Sequence, residues 1–521
     1  MNPAALLAKQ ATERGGQIAL VDSAGGHDRT ITFAGLHVSV ENLAAQLRDS
    51  GLKAGDAVLV FHPVRIELYT VLLALFRQGI TAVFIDPGQG RAFISKCCRL
   101  LPLRGFIGSP KAHWLRLLCS AVRRIPLAFA VDSPVIWSRR LLSGKRPEGS
   151  LPPAIEDGNA AALITFTSGS TGQPKGIARS HDFLMAQHRA LEVCLALDPG
   201  GVDLATLPVF VLANLASGLT TVLADFPSGK PGSADGPTVC QQMERWKVTR
   251  SAASPAFFQR LLHAGSAPPF VRHLYTGGAP VFPSLMEKLA RHFPNARIEA
   301  VYGSSEAEPI AHLAWDEIKP RDLIAMRSGY GLLAGRCVDG LDVAVVAVAR
   351  GVSLGCLTRA QFAAMKLPAG DIGEIVVSGP HVVPGYLNGL GDEETKFQVE
   401  GQRWHRTGDT GFFDEDGRIW LTGRTSAIIK LEDGAALYPF QLEAALSFFP
   451  EISACALVQN AETIILVVEQ EGRQLPSETG SLLERFAVQE VVFAGIPRDK
   501  RHNAKVDYPA LMQCLKKRSR V

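Results

Sequence analysis

The chain has 521 residues, 47% hydrophobic and 20% charged, with a formal net charge of +4. A single hydrophobic core stops growing near ~250–300 residues, so more than one domain is expected, and the composition excludes a disordered or fibrous chain. Nine cysteines without any CxxC spacing exclude a disulfide framework or zinc site and imply a reducing, cytoplasmic setting; the small net charge comes with no RNA- or DNA-binding motif, so nucleic acid is not an expected partner.

The opening stretch MNPAALLAKQATERGG meets charge early and does not read as a signal peptide. From Thr30 to Asp86 helix and strand patterns alternate. Val38 to Leu47 has helical apolar spacing, Ala57 to Phe61 reads as a strand, Leu68 to Phe76 as an amphipathic helix and Thr81 to Ile85 as a buried strand. Such alternation predicts a largely parallel sheet covered by helices. Asp86-Pro-Gly-Gln-Gly-Arg91 imitates a dinucleotide fingerprint but has Phe93 at the third glycine position. Arg139 to Asp157 reads as a surface connection.

Ala161 to Phe166 is an apolar strand that empties into Thr167-Ser-Gly-Ser-Thr-Gly-Gln-Pro-Lys175-Gly176. Glycines admit backbone N–H groups close to an anion, hydroxyls add donors and Lys175 adds a positive charge, which together make a polyphosphate cradle. A Walker loop needs Gly-Lys at a fixed distance from a first glycine; counted from Gly169, Pro174 stands at the second-glycine position, so that label fails.

Leu204 to Ala224 contains no charged residue and is long enough to cross a bilayer, but Pro208, Asn214, Ser217 and Gly218 dilute it; it is read as a buried strand-turn-helix. Ser228 to Pro237 is a second loop. Thr238 to Trp246 and Pro255 to Leu262 read as helices, Val271 to Tyr275 as a strand, and valine-rich Arg336 to Val348 as part of a β subdomain. Two short strands flank an Asp-Gly turn between Thr407 and Trp420. A domain boundary is placed at Arg424, giving domains 1–424 and 425–521. The second is an α+β unit with a strand at Ala427 to Leu431, a helix at Pro439 to Ser447, strands at Ala454 to Val458 and Thr463 to Val468, and a helix near Ser481 to Ala487. The basic end, with Lys516, Lys517, Arg518 and Arg520, reads as a solvated tail.

The loop from Thr167 to Gly176 closely resembles the phosphate loop of the adenylate-forming enzymes, a group that includes acyl-CoA synthetases, peptide-synthetase adenylation domains and luciferases. Tyr302-Gly-Ser-Ser-Glu306 resembles the family's Tyr-Gly-x-Thr-Glu, Gly277-Gly-Ala-Pro280 its adenine-lining stretch, and Thr407-Gly-Asp409 with Gly423-Arg424 its ribose motifs. The resemblance spans roughly Thr30 to Asp507. It implies an α/β fold with a large N-terminal domain and a small, mobile α+β C-terminal domain.

Activating a carboxylate with ATP requires holding the triphosphate, bridging it with magnesium, fixing the ribose and offsetting charge on the attacked α-phosphate. The resemblance assigns Thr167, Ser168, Gly169, Ser170, Thr171, Gly172 and Lys175 to the phosphates, and Glu306 with Thr167 to Mg2+. Gly277, Gly278, Ala279, Pro280, Tyr302, Gly303 and Ser305 fall to the base side, and Asp409 and Arg424 to the ribose. Lys505 is the match for the catalytic lysine, acting with Glu306 and Lys175, although Asn503-Ala504 replaces the expected Ser/Thr-Gly and Lys500 is the fallback. Ser426 stands where the family's hinge carries Asp or Lys.

Leu207 to Gly218 has no histidine and is largely apolar, which fits a long alkyl chain, and no Asp in Ser254 to Phe258 could pair with an α-amino group. Ile85 to Arg91, Phe106 to His113, Leu207 to Phe210, Trp404 to Asp409 and Arg501 to Lys505 look like one branch, the olefin-pathway β-lactone synthetases. That branch implies adenylation of a 3-hydroxy fatty acid and ring closure without CoA. The alternatives are an acyl-CoA ligase, an acyl-AMP ligase feeding a carrier protein, and a nucleotide-binding homologue without catalysis.

Overall fold

The computed structural model describes residues 2–23, 27–142, 157–168, 173–226, 231–498 and 506–518. The chain divides into two compact units. The first comprises Met1–Ser228, Val248–Arg250 and Pro380–Glu393; the second comprises Gly229–Lys247, Ser251–Gly379 and Glu394–Val521.

In the first unit the expected helix–strand alternation is present. Helices α1 (Pro3–Arg14), α2 (Phe33–Asp49), α3 (Ile66–Arg77), α4 (Gly90–Cys98), α5 (Pro110–Leu118), α6 (Ser120–Arg123), α7 (His181–Cys194) and α8 (Pro208–Ser217) surround two sheets. One has the order β7 (Arg139–Leu141), β6 (Leu127–Val131), β5 (Leu103–Gly108), β3 (Ala57–Phe61), β4 (Thr81–Phe84), β8 (Ala161–Ser168), β9 (Pro174–Ser180), and is parallel except for the β8–β9 pair. The other runs β10 (Val202–Ala205), β11 (Thr220–Leu223), β1 (Ile18–Asp22), β2 (Arg29–Thr32).

Strand alternation divides the core: Val58 and Val60 of β3 join one cluster with α2 and α3, while Leu59 and Phe61 join another with Ile94 and Val122. Helix α3, read as amphipathic, is instead buried from Leu68 through Phe76, because α1, α2, β1 and β4 all pack against it. Arg139 to Asp157 is not wholly a connection, since β7 extends the sheet edge there. The uncharged stretch after Asp203 forms β10, α8 and β11, and no helix among the described residues is long and apolar enough to cross a membrane. Asp203 is buried, accepts from Asn214 of α8 at 2.8 Å and faces Arg250 Nε at 3.4 Å; the Arg250 Nη1 donates to the Ala196 carbonyl at 2.6 Å.

The second unit holds a mostly antiparallel sheet. Its order is β17 (Asp342–Val346), β19 (Gly373–Ser378), β21 (Gln402–Phe413), β22 (Ile419–Arg424), β16 (Leu332–Cys337), β15 (Ala307–Ala314), β14 (Arg297–Ser304), β13 (His273–Gly277). Strand β12 (Arg250–Ala253) precedes these, and β18 (Cys356–Leu357) pairs with β20 (Lys396–Val399), which pairs with β21. The valine-rich run splits into β16 and β17 because Gly340, at φ +77°, turns the chain. The expected strand at Ala427 to Leu431 shrinks to β23 (Ile429–Lys430), paired with β24 (Ala436–Leu437), since Thr425–Ala427 form a 3-10 turn.

Beyond it, β25 (Ala454–Asn460) pairs antiparallel with β26 (Thr463–Glu469), which pairs parallel with β27 (Glu490–Phe493). Alternate residues feed two cores. Leu457, Leu466 and Val468 meet helix Pro439–Leu446 through Leu442 and Leu446, whereas Ala456, Val458 and Val467 meet helix Tyr508–Arg518 through Leu511 and Leu515. Strand β27 and the last helix were not anticipated.

Glu443 is buried between these cores, accepting from Leu457 N at 3.1 Å and from the Tyr508 hydroxyl at 2.9 Å. Burial pushes its carboxyl up from 4.5 to about 7. The native state therefore holds a proton that the unfolded chain releases between these values, so stability falls as pH rises through that window, by on the order of 3 kcal/mol. Glu443→Gln should flatten this part of the pH dependence when urea midpoints are measured at pH 5 and pH 7. Identical pH slopes for variant and wild type would contradict the assignment.

Candidate active site

In the first unit the cradle sits on a hairpin rather than on a strand-loop-helix. Phe166 lies opposite Gly176, Thr167 opposite Lys175 and Ser168 opposite Pro174 on β8 and β9. Helix α7 starts only at His181, so its N-terminal dipole is separated from Pro174 by all of β9. Gly169, Ser170, Thr171 and Gly172 lie outside the described residues.

Lys175 extends its ammonium over the Tyr386 ring, 5.3 Å from the centroid. A Cβ on Gly391 would come within 2.5 Å of Lys175 Nζ, and one on Gly176 within 2.9 Å of Leu387 Cβ. Glycine at both positions thus lets the segment around Tyr386 close on the hairpin, and Ile177 bridges to Tyr386 through the backbone. Tyr386 and Gly391 were missed by sequence reasoning because they lie more than two hundred residues from the cradle.

In the second unit three of the expected residues converge. Asp409 and Arg424 are direct partners across β21 and β22. Arg424 Nε meets Asp409 Oδ1 at 2.9 Å, and the Tyr302 hydroxyl, from β14, donates to Asp409 Oδ2 at 2.8 Å. The Asp409 N–H donates to Thr407 Oγ1 at 3.0 Å and Arg424 Nη1 to the Thr407 carbonyl at 3.3 Å. Gly408 and Gly423 adopt φ +71° and +138°, which lets the two strands carry this pairing out of the regular ladder. Each Asp409 oxygen keeps a further lone pair for an outside donor.

The electrostatics are consistent with a fixed anion. Burial and the Asp409 charge raise Tyr302 well above its ordinary value, so it remains a neutral donor; Asp409 first, with Tyr302 and Glu306 adding, raises Arg424. Glu306 sits in the turn between β14 and β15, where its N–H donates to Ser304 Oγ at 3.3 Å. Gly303 precedes it in a tight turn, a Cβ there approaching the Ala307 carbonyl at 3.1 Å, and Ser305 is exposed.

His405 on β21 is buried and faces the Thr395 carbonyl through Nδ1 at 3.2 Å. Burial, then Lys396, lowers it to about 3, against an opposing pull from Glu306. It is a neutral imidazole that sequence reasoning quoted only as part of a motif.

Gly277 closes β13, where a Cβ would lie 2.5 Å from the Val301 carbonyl of β14, and Gly278 has φ +78°. Ala279 and Pro280 are half-buried. The neighbouring Thr276 hydroxyl is buried with no hydrogen-bond partner among the described residues.

Lys505 and its fallback Lys500 lie outside the described residues. The chain on either side is tied together by a bridge between Arg498 and Val506 and by Asp507 N donating to the Pro497 carbonyl at 2.8 Å. Ser426 is exposed in the turn after β22. Of the expected acyl-binding stretch, α8 buries Phe210, Val211, Ala213 and Leu215, and Val211 and Leu215 belong to the core shared with α1 and α3.

Residues 7–387 match the family described as AMP-binding enzyme. The chain belongs to that family. It is 30% identical over 537 aligned residues to an olefin beta-lactone synthetase of Stenotrophomonas maltophilia, with 97% of this chain and 96% of the relative covered. An olefin beta-lactone synthetase of Xanthomonas campestris matches at 30% over 541 residues with the same coverage. The solved structure of ATP-bound MatB from Rhodopseudomonas palustris has the same fold, with a TM-score of 0.78, 20% identity and 99% of both chains covered. The AMP-binding enzyme described here is thus an adenylate-forming ligase, and the resemblance read from its motifs holds along the chain.

The close approach at Gly277 makes a structural prediction. Gly277→Ala should force β13 from β14 and lower the urea unfolding midpoint by an amount equivalent to about 1–3 kcal/mol. Gly265→Ala, whose Cβ would enter open space, should leave the midpoint unchanged. Equal behaviour of the two variants would contradict the tight β13–β14 contact.

Proposed function

We propose that this ligase activates a long-chain 3-hydroxy fatty acid with ATP and Mg2+, and closes the resulting acyl-AMP to a β-lactone. The observation that carries the reading is the Asp409 carboxylate, gripped by Tyr302 and Arg424 yet with lone pairs left over, in a chain aligned end to end with olefin beta-lactone synthetases. Such a carboxylate suits a pair of ribose hydroxyls.

The residues present fit the nucleotide. Gly277 offers bare backbone where a Cβ would meet the Val301 carbonyl, Gly278 follows in a left-handed conformation that disfavours a side chain, and the buried Thr276 hydroxyl beside them has no partner among the described residues. Lys175 supplies charge to the phosphates. For Mg2+, Glu306 is the carboxylate on offer. No three of His, Cys, Asp or Glu converge among the described residues, so the remaining ligands would be phosphate and water oxygens, the usual preference of this ion. When bound, the ion would offset the triphosphate's charge.

Two displacements make up the reaction. A carboxylate oxygen of the acid attacks the α-phosphorus, and the bond to pyrophosphate breaks. The substrate's 3-hydroxyl oxygen then attacks the acyl carbon, AMP leaves with the bridging oxygen, and the hydroxyl proton passes to solvent. Lys505 would stabilise charge on the α-phosphate in the first step. We assign it to a C-terminal domain, 425–521, supported by the two cores built from Ile429 onward. An external nucleophile is not needed for the second step, in keeping with Ser426 at the hinge position. All nine cysteines are free thiols, which supports a cytoplasmic enzyme.

The test is pyrophosphate release with ATP, Mg2+ and a panel of fatty and 2-alkyl-3-hydroxy acids, with products read by mass spectrometry. A β-lactone formed without CoA is the expected result; a thioester formed only with CoA would overturn the lactone reading in favour of an acyl-CoA ligase.

Two variants test the residue assignments. Asp409→Asn should raise the KM for ATP about tenfold or more, the cost of weakening charged hydrogen bonds. Lys505→Ala should slow pyrophosphate release by orders of magnitude while ATP binding, measured by calorimetry, persists. An unchanged rate in the second case would remove Lys505 from the reaction.

A further inference from the structure

Of the eleven large apolar side chains exposed among the described residues, five cluster between positions 114 and 137. They are Trp114, Leu117 and Leu118, 66%, 53% and 59% exposed, and Ile136 and Trp137, 76% and 79% exposed. The first three occupy one stripe of α5 at helical spacing. The opposite side of α5 is committed to the core: Ala112 and Leu115 pack with Phe106 and Val122, and the buried His113 meets the Phe129 carbonyl at 3.1 Å. The outward stripe is therefore not an unsatisfied core face turned the wrong way.

Ile136 and Trp137 belong to the connection between β6 and β7. Strands β5 and β6 are parallel neighbours, so the start of α5 and this connection leave the sheet at the same end. Arg116 of α5 joins them, its Nη1 donating to the Trp137 carbonyl at 3.0 Å. Trp137 is held at φ +59°, a conformation unfavourable for a bulky residue, while its indole stands almost wholly in solvent.

Charge singles out the same segment. Between residues 90 and 142 the chain carries ten Lys or Arg and one acid, Asp132, a net +9 in a protein whose total is +4. Lys111, Arg116, Arg123, Arg124, Arg139 and Arg140 make no ion pair with a carboxylate among the described residues. Protruding Trp, Leu and Ile in a segment rich in unneutralised arginines match the two layers of an anionic bilayer surface. Indoles and aliphatic groups favour the interface below the headgroups, and guanidinium groups favour lipid phosphates.

We infer that α5 and the β6–β7 connection dock this enzyme on an anionic lipid surface. The inference stands on exposure and charge, and is independent of which acid is activated. It is tested by co-sedimenting the full chain with vesicles of phosphatidylcholine alone or mixed with phosphatidylglycerol, comparing wild type with Leu118→Glu/Trp137→Glu. Both positions are exposed, so the thermal midpoint should not move.

Wild type should partition onto phosphatidylglycerol vesicles about tenfold or more better than onto phosphatidylcholine, with a blue shift of tryptophan emission and release by high salt. The double variant should lose that binding by at least about tenfold. Equal binding by variant and wild type would overturn the inference. So would failure of wild type to bind, or a wild-type self-association in sedimentation that the variant abolishes, which would give the face to a second copy of the chain.

Discussion

The site proposed for this ligase depends on one carboxylate being held still. Asp409 is flanked by a guanidinium directly across the β21–β22 ladder and by a phenol from β14, so neither of its oxygens is free to rotate. The two donors hold it without consuming its full accepting capacity. Fixing an acceptor in advance means that a bound sugar would not have to order it, and the ordering cost is met during folding instead.

The strands that carry Asp409 are also braced by buried polar pairs. Arg418 grips Asp322 with both terminal nitrogens at 2.8 Å and Asp414 through Nε at 2.8 Å, locking the turn that joins β21 to β22. Arg406, also on β21, pairs with buried Glu374 of β19. Buried pairs of this kind are weak evidence for stability but strong determinants of geometry once formed. In the first unit the cradle uses a parallel device: the β8–β9 hairpin sets Lys175 opposite Thr167, and glycines at 176 and 391 let a distant segment close over the lysine. Both groups of candidate residues sit on antiparallel strand pairs.

Much of this was legible in sequence for local reasons. Apolar runs such as Ala57 to Phe61 could only be buried strands, and glycine-framed motifs marked where backbone must bend or approach a ligand. The order of those motifs located Tyr302, Asp409 and Arg424, which the fold brings together. What stayed hidden was pairing at long range. Arg250 for Asp203, Tyr508 for Glu443 and Tyr386 for Lys175 are partners that no periodicity announces. Periodicity also misjudged α3, whose exposed-looking positions are covered by neighbouring elements, and it had no means of telling which side of α5 turns outward. The cradle was misread as a long loop because Thr167 and Lys175, polar by type, still satisfy a β ladder.

The central claim is that the acid is activated through its own oxygen on the α-phosphorus. The most direct measurement uses a substrate acid labelled with oxygen-18 in its carboxylate, with AMP analysed by mass spectrometry after turnover. Transfer of one labelled oxygen into AMP is the predicted result, because the bridging atom leaves with the phosphate. Unlabelled AMP, or nucleotide released as ADP, would contradict the account.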